Sequence, residues 1–157
     1  MEFALPGSPP FTRRGKADRI DRLKAGGLAI IDYKTGGVPS GTQIEKGYAP
    51  QLPLEALMAA AGRFAGVPAE QVEKLSYWQL KGGRSIAELK DVKGDAMGMA
   101  AFYRGRLEAL IAAFSNPDMP YHPLPDPKYV PPFRLYDHLS RRAEWGVVAS
   151  DDMEDVT

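Results

Sequence analysis

The segment Leu28–Lys34, Leu-Ala-Ile-Ile-Asp-Tyr-Lys, constrains the fold of this chain more than any other. It is an apolar run with β-branched residues that passes directly into an acid, an aromatic ring and a base. Such a run is short for a helix and suits a buried strand. Charges at the end of a buried strand need partners, so the neighbouring chain has to supply them.

The preceding stretch Gly15–Leu23, Gly-Lys-Ala-Asp-Arg-Ile-Asp-Arg-Leu, mixes charged and apolar residues, and Ala25-Gly26-Gly27 follows as a turn. Strand–turn–strand is the expected local fold. With Ala25–Gly27 as the turn, Lys24 pairs with Leu28, Asp18 faces Lys34, and Asp32 faces Ile20. Side chains alternate faces along a strand, so Asp18, Asp32 and Lys34 then share one face. Asp18 and Asp32 become diagonal neighbours, roughly 7–8 Å apart at the backbone. A turn shorter by one residue puts Asp21 on that face instead. The spacing therefore leaves Asp18 and Asp21 as alternatives. A cross-strand charge ladder through Asp18, Arg19, Asp21 and Arg22 on a solvated face is equally compatible with the pattern.

Asp–Asp–Lys is a chemically useful trio. Mg²⁺ takes oxygen ligands and keeps several waters, so two carboxylates can anchor it. Such a metal activates water and neutralises phosphate charge, and a lysine beside it can stabilise negative charge in the transition state.

The remaining pattern predicts a loop over Gly36–Gly41, a helix over Gln51–Phe64, a strand over Leu75–Leu80 and a short return strand over Ile86–Leu89. Asp95 is positioned to cap a long helix to Phe114, with Met99, Phe102, Tyr103, Leu107, Leu110, Ile111 and Phe114 as its apolar stripe. Six prolines between Pro120 and Pro132 predict an extended arm, and Leu135–Trp145 a short helix. A core over residues 1–115 and an arm with its tail over 116–157 follow from this reading.

The 157-residue length suits one domain. The chain has no cysteine, which excludes disulfides, thiolate metal sites and cysteine nucleophiles within it and suits a reducing cytoplasm. No apolar run approaches the length of a membrane span, so no membrane partner is expected. Basic and acidic residues balance at 20 each, which argues against an independent high-affinity DNA binder but not against a DNA enzyme held in place by a larger partner.

Three motifs occur in order: Gly-Lys-Ala-Asp-Arg-Ile-Asp (15–21), Ile-Ile-Asp-Tyr-Lys-Thr-Gly (30–36) and Gln-Leu-Pro-Leu-Glu-Ala (51–56). Together they resemble the RecB-like nuclease domains of the PD-(D/E)XK superfamily. More narrowly, with Tyr-Asp-His-Leu-Ser-Arg-Arg-Ala-Glu-Trp (136–145), they resemble the C-terminal domains of AddB-type subunits of AddAB helicase–nucleases. The resemblance covers roughly Phe3–Trp145. It implies an α/β, restriction-endonuclease-like core, a mixed β-sheet flanked by helices, with the Pro-rich C-terminal arm packed on it. It implies Asp18 and Asp32 as ligands of Mg²⁺, for which Mn²⁺ substitutes, with the backbone carbonyl of Tyr33 completing the site. Lys34 takes the position of the catalytic lysine and Gln51 that of the glutamine of the following helix. Glu55 stands where relatives often carry tyrosine. The resemblance further implies DNA as substrate, an AddA-like helicase–nuclease subunit as partner, and contacts with the rest of a longer polypeptide. Relatives carry a helix before the core with a His or Glu that joins the metal site. Here the chain starts a short strand before Gly15, so a fragment of a longer protein is expected.

Other features carry less. Gly36–Thr42 lacks the lysine that a phosphate-binding Walker loop requires after its last glycine. His122 and His138 have no metal-ligand partner at close spacing. Trp78 is expected in the core. Tyr121, Tyr129, Phe133 and Tyr136 are expected to cover it. Arg13, Arg14, Lys16, Lys81 and Arg84 are candidates for a DNA path or for plain solvated surface. A nuclease-like domain that binds DNA or a partner without cleaving is the rival reading.

Overall fold

The structure is a computed structural model that describes residues 1–82, 87–121, 139, 141 and 144. The chain divides into two compact units, Met1–Pro117 and Asp118–Thr157. All elements below lie in the first. They run β1 (Glu2–Phe3), β2 (Phe11–Thr12), β3 (Arg19–Arg22), β4 (Leu28–Lys34), α1 (Gly41–Glu45), α2 (Gln51–Ala60), β5 (Val72–Leu80), β6 (Ala87–Asp91) and α3 (Ala96–Phe114). No helix among the described residues is long and apolar enough to cross a membrane.

The main sheet has the order β3-β4-β5-β6. Its outer pairs are antiparallel and its central pair, β4 with β5, is parallel. A parallel pair needs a crossover, and α1 and α2 occupy it. This is the expected mixed α/β sheet. Leu28, Ile30, Val72, Leu75 and Tyr77 face a core shared with Leu52, Ala56 and Ala59 of α2 and with Ala96 and Ala100 of α3. A fully buried aliphatic such as Ile30 is worth about 1.5–3 kcal/mol. The register slips between Leu28 and Ala29, giving β5 an extra residue, so Val72 and Leu75 both turn inward.

The β3–β4 hairpin differs from expectation by one residue. Arg22 pairs with Leu28, and the Leu23 N–H donates to the Gly27 carbonyl at 2.9 Å. The turn is therefore Lys24–Gly26, not Ala25–Gly27. Moving a turn by one residue shifts each pairing by two, which preserves the face of every side chain. Carried one residue past the pairing of Arg19 with Ile31, this register brings Asp18 level with Asp32 rather than Lys34. Asp21, opposite Ala29, points to the other side. The strand is also shorter than Gly15–Leu23.

Four further expectations need correction. The helix expected to reach Phe64 stops at Ala60, because Gly62 adopts φ +63° and the chain turns back. Gly62 N–H donates to Ala59 and Arg63 N–H to Met58, the Schellman pattern that satisfies the last carbonyls. Gly41–Glu45, beyond the expected loop, forms a short helix because Ser40 and Gln43 cap each other reciprocally. The β5 strand begins at Val72 rather than Leu75. Helix α3 runs to Phe114 with Asp95 as its cap, as expected, but its buried face is Ala96, Ala100 and Tyr103. Phe102, Leu110 and Phe114 of the expected stripe are exposed. The small alanines allow α3 to lie close to α2, and the larger residues fall to either side. Ile86 of the expected return strand, His122, His138 and almost all of the Pro-rich arm lie outside the described residues.

Candidate active site

The site forms where β4 leaves the sheet and α2 begins. Asp32 sits one pleat beyond the buried Ile30 and is only 2% exposed. Lys34, one pleat further, reaches the mouth of the site and returns its Nζ to within 2.8 Å of Asp32 Oδ2. Gln51 begins α2. Its Oε1 accepts from Lys34 Nζ at 3.0 Å, and its Nε2 donates to Asp32 Oδ1 at 2.5 Å. Asp32, Lys34 and Gln51 thus form a closed ring of contacts. Among the described residues no hydrogen bond reaches Asp32 Oδ2, which lies against the lysine charge.

Glu55 lies one helical turn after Gln51, so both side chains leave α2 on the same side. It is 3% exposed, and its Oε1 accepts weakly from Gln51 Nε2 at 3.4 Å. Burial, above all, pushes its carboxyl up from the ordinary range. The charges of Asp32 and Asp18 add to that shift, while the Gln51 hydrogen bond and Arg13 oppose it. The Tyr77 phenol is also pushed up, first by burial and next by Asp32. Tyr77 stands beside Asp32 in the β4–β5 register, a position that the alternation of Leu75 and Tyr77 could have revealed.

Asp18 precedes β3 at the open edge of the sheet. Its Oδ2 accepts the Tyr33 backbone N–H at 3.0 Å, replacing the ladder partner that β3 no longer provides there. Gly15 packs on α2, where an added Cβ would come to 3.3 Å from Met58 Sδ. A glycine therefore allows the approach to Asp18 to lie close to the helix. Asp21 is directed away and pairs with Arg19 at 2.9 Å on the outer face. In place of the expected cross-strand charge ladder, Arg19 and Asp21 pair within β3, and Asp18 turns instead to the Tyr33 N–H.

The Tyr33 side chain leaves the sheet on that outer face and stacks on Trp78, ring centroids 5.5 Å apart, with Arg19 over the Trp78 ring. Trp78 is half-buried there, so the expectation that it belongs to the core is corrected. Lys81 is held by Glu88. Arg13 is half-buried beside the site, and its Nε has no hydrogen-bond partner.

A cavity of about 350 Å³ opens over Lys34 and Gln51, lined also by Arg13, Tyr48 and Tyr77. A larger one of about 550 Å³ lies past Tyr77, between Val38–Gly41 and Lys90–Lys93. The smaller cavity is the one that Lys34 and Gln51 line.

The donor set fits a hard divalent cation. Asp32 and Glu55 are buried carboxylates, each with an oxygen that no hydrogen bond among the described residues satisfies, and carboxylate oxygens are the donors such a cation takes. Among the described residues no three acidic, histidine or cysteine side chains already converge as a finished metal cage.

A family model described as the PD-(D/E)XK nuclease superfamily matches residues 2–129. Uncharacterised proteins of Rickettsia conorii, Rickettsia felis and Rickettsia bellii are each 46% identical to this chain over 50 residues, 32% of this chain. The match covers only 6% of the length of those relatives. No solved structure matches the chain.

Proposed function

The chain belongs to the PD-(D/E)XK nuclease superfamily, and from that premise we propose that it is a metal-dependent DNA nuclease domain. The observation that carries this reading is the ring formed by Asp32, Lys34 and Gln51, of which Lys34 and Gln51 line an open cavity. Asp32 and Asp18 are the proposed ligands of Mg²⁺ or Mn²⁺, with the Tyr33 carbonyl. Bound there, the cation supplies an activated water and neutralises phosphate charge. Lys34 is the group that stabilises the negative charge developing on the phosphate oxygens. Gln51 is a positioning residue that keeps the lysine and the carboxylate in place before substrate arrives. Arg13 lines the cavity and is placed to offer its guanidinium to a phosphate there.

The order of the three motifs supports a narrower role. In it, the domain is the AddB-like end of a longer cytoplasmic polypeptide. It works beside an AddA-like subunit as an exonuclease on single strands during repair of double-strand breaks and recombination. The small fraction of each relative's length that the match covers is consistent with a domain inside a larger protein.

Asp32→Ala and Lys34→Ala are each expected to abolish Mn²⁺-dependent cleavage of single-stranded DNA while circular dichroism stays unchanged. Undiminished cleavage by either variant would sink the reading. The second reading, a nuclease-like domain that binds DNA without cutting it, is favoured by the Lys34 ammonium, which already stands against Asp32 where a cation would bind. A chain that binds single-stranded DNA but takes up no Mn²⁺ in calorimetry would support it.

A further inference from the structure

We propose that Glu55 is a metal ligand of this centre, joining Asp32 from helix α2. The assignment rests on the nuclease reading and adds to it a residue that the ordered motifs leave without a role.

Three observations carry it. Glu55 is 3% exposed, and its Oε2 has no hydrogen-bond partner. Burying a carboxylate is costly unless something compensates it, and Leu52, Ala56 and Ala59 on the same helix show that apolar residues fit this region. Next, a single amide nitrogen, Gln51 Nε2, donates both to Asp32 and to Glu55. Two carboxylates from different elements therefore converge on one partially positive group, the arrangement that a cation satisfies better than an amide does. Lastly, the lysine charge is spent on Asp32: among the described residues Glu55 enters no ion pair. Asp18 meanwhile is engaged by the Tyr33 N–H. An acid on the rigid helix α2 gives the cation a second oxygen anchor that does not depend on the loop before β3.

The test is calorimetric titration of the whole chain with Mn²⁺, comparing wild type, Glu55→Gln, Glu55→Ala and Asp32→Asn. The glutamine variant keeps an oxygen that can accept from Gln51 and removes only the charge. If Glu55 is a ligand, Glu55→Gln weakens Mn²⁺ binding by at least about tenfold, since even outer partners of metal ligands cost about 10–100-fold. Glu55→Ala then weakens it as much or more. Thermal melting in EDTA checks that each variant folds, and the alanine variant is decisive if the glutamine one does not. Unchanged affinity in Glu55→Gln beside loss in Asp32→Asn overturns the Glu55 assignment and leaves the nuclease reading standing. Loss in Glu55→Ala alone reduces Glu55 to a support for Gln51 and overturns it too. A wild-type chain with no saturable Mn²⁺ site removes the nuclease reading itself, and the ligand assignment with it.

Discussion

Lys34 Nζ lies 2.8 Å from Asp32 Oδ2, and the two side chains leave the same face of β4 because one residue separates them. The pair is asymmetric, since Asp32 is almost wholly buried and Lys34 is only partly so. Removing the lysine strands a buried acid, whereas removing the acid leaves a lysine that can reach water. Lys34→Ala is therefore expected to cost about 1–3 kcal/mol in metal-free urea denaturation. Adding Asp32→Asn to it should recover part of that loss, a coupling of about 0.5–3 kcal/mol. Strictly additive losses would show that the contact does not stabilise the apo fold.

The register of the hairpin separates two acids that spacing alone leaves as alternatives. Asp18 reaches the Tyr33 N–H beside the site, while Asp21 pairs with Arg19 on the far side of the sheet. Asp18→Ala is expected to lower Mn²⁺ affinity roughly 10-fold or more, on the scale of losing an outer partner or a ligand. Asp21→Ala should leave it unchanged, and its stability should move by less than about 1 kcal/mol, as for an exposed ion pair. Titration of the two variants side by side reads this directly. Loss in Asp21→Ala with Asp18→Ala unchanged would place the hairpin in the other register.

Much of this was legible in the sequence because β4 is written twice over, once as an apolar run and once as a charged end. Leu28–Lys34 and the Asp95-capped helix to Phe114 fall where local pattern and capping agree. The pairing of β3 was legible in its parity but not in its position. A glycine pair after Lys24 permits more than one turn, and only Gly26 at φ +96° and Gly27 at φ +80° settle which residues make it. Burial was less legible. Trp78 reads as core by its apolar neighbours, yet the slip in β5 and the β4 register turn it to the outer face beside Tyr33. The setting of Glu55 depends on how α2 docks against β4. That contact joins elements distant in sequence, and no local motif carries it.

Gly27 tests how firmly the hairpin is held. Its N–H donates to Glu70 Oε1 at 2.8 Å, and its φ of +80° is one that side chains rarely adopt. An added Cβ would also stand 2.4 Å from Glu73 Cγ and 3.2 Å from the Gln71 carbonyl. Gly27→Ala should therefore destabilise the fold by about 1–3 kcal/mol. Because the hairpin carries Asp18, Mn²⁺ affinity should fall with it. A variant as stable as wild type in urea would mean that this turn adjusts freely.

Tyr33 offers the opposite case, a residue between Asp32 and Lys34 whose side chain points away from them. Its ring lies on the outer face against Trp78, and only its backbone points to Asp18 and the site. Tyr33→Ala is expected to cost about 0.5–1.5 kcal/mol, the worth of an aromatic pair beyond burial. Cleavage rate per folded molecule should stay within about twofold of wild type, since only an interaction made in the transition state would lower it further. A large fall in rate at unchanged stability would place the ring in the reaction.

The pH dependence of the metal-free fold follows from Glu55. Its folded carboxyl is raised above the ordinary value of 4.5, chiefly by burial, so the native state holds the proton over a range where the unfolded chain has released it. Stability then falls as pH rises, because the unfolded state binds fewer protons there. The contribution is complete below the unfolded value and is lost as pH climbs through the raised folded one. Glu55→Gln carries no proton to lose and is free of this slope. The depressed carboxyls of Glu88 and Asp91 act in the opposite direction, but they are present in both proteins and cancel in the comparison. Urea denaturation in EDTA at a series of pH values should therefore show wild type losing ground to Glu55→Gln from about pH 4.5 upward. Parallel stability curves would mean that the Glu55 carboxyl ionises as easily in the fold as in the unfolded chain, and that its burial is relieved by water or by a shift of α2.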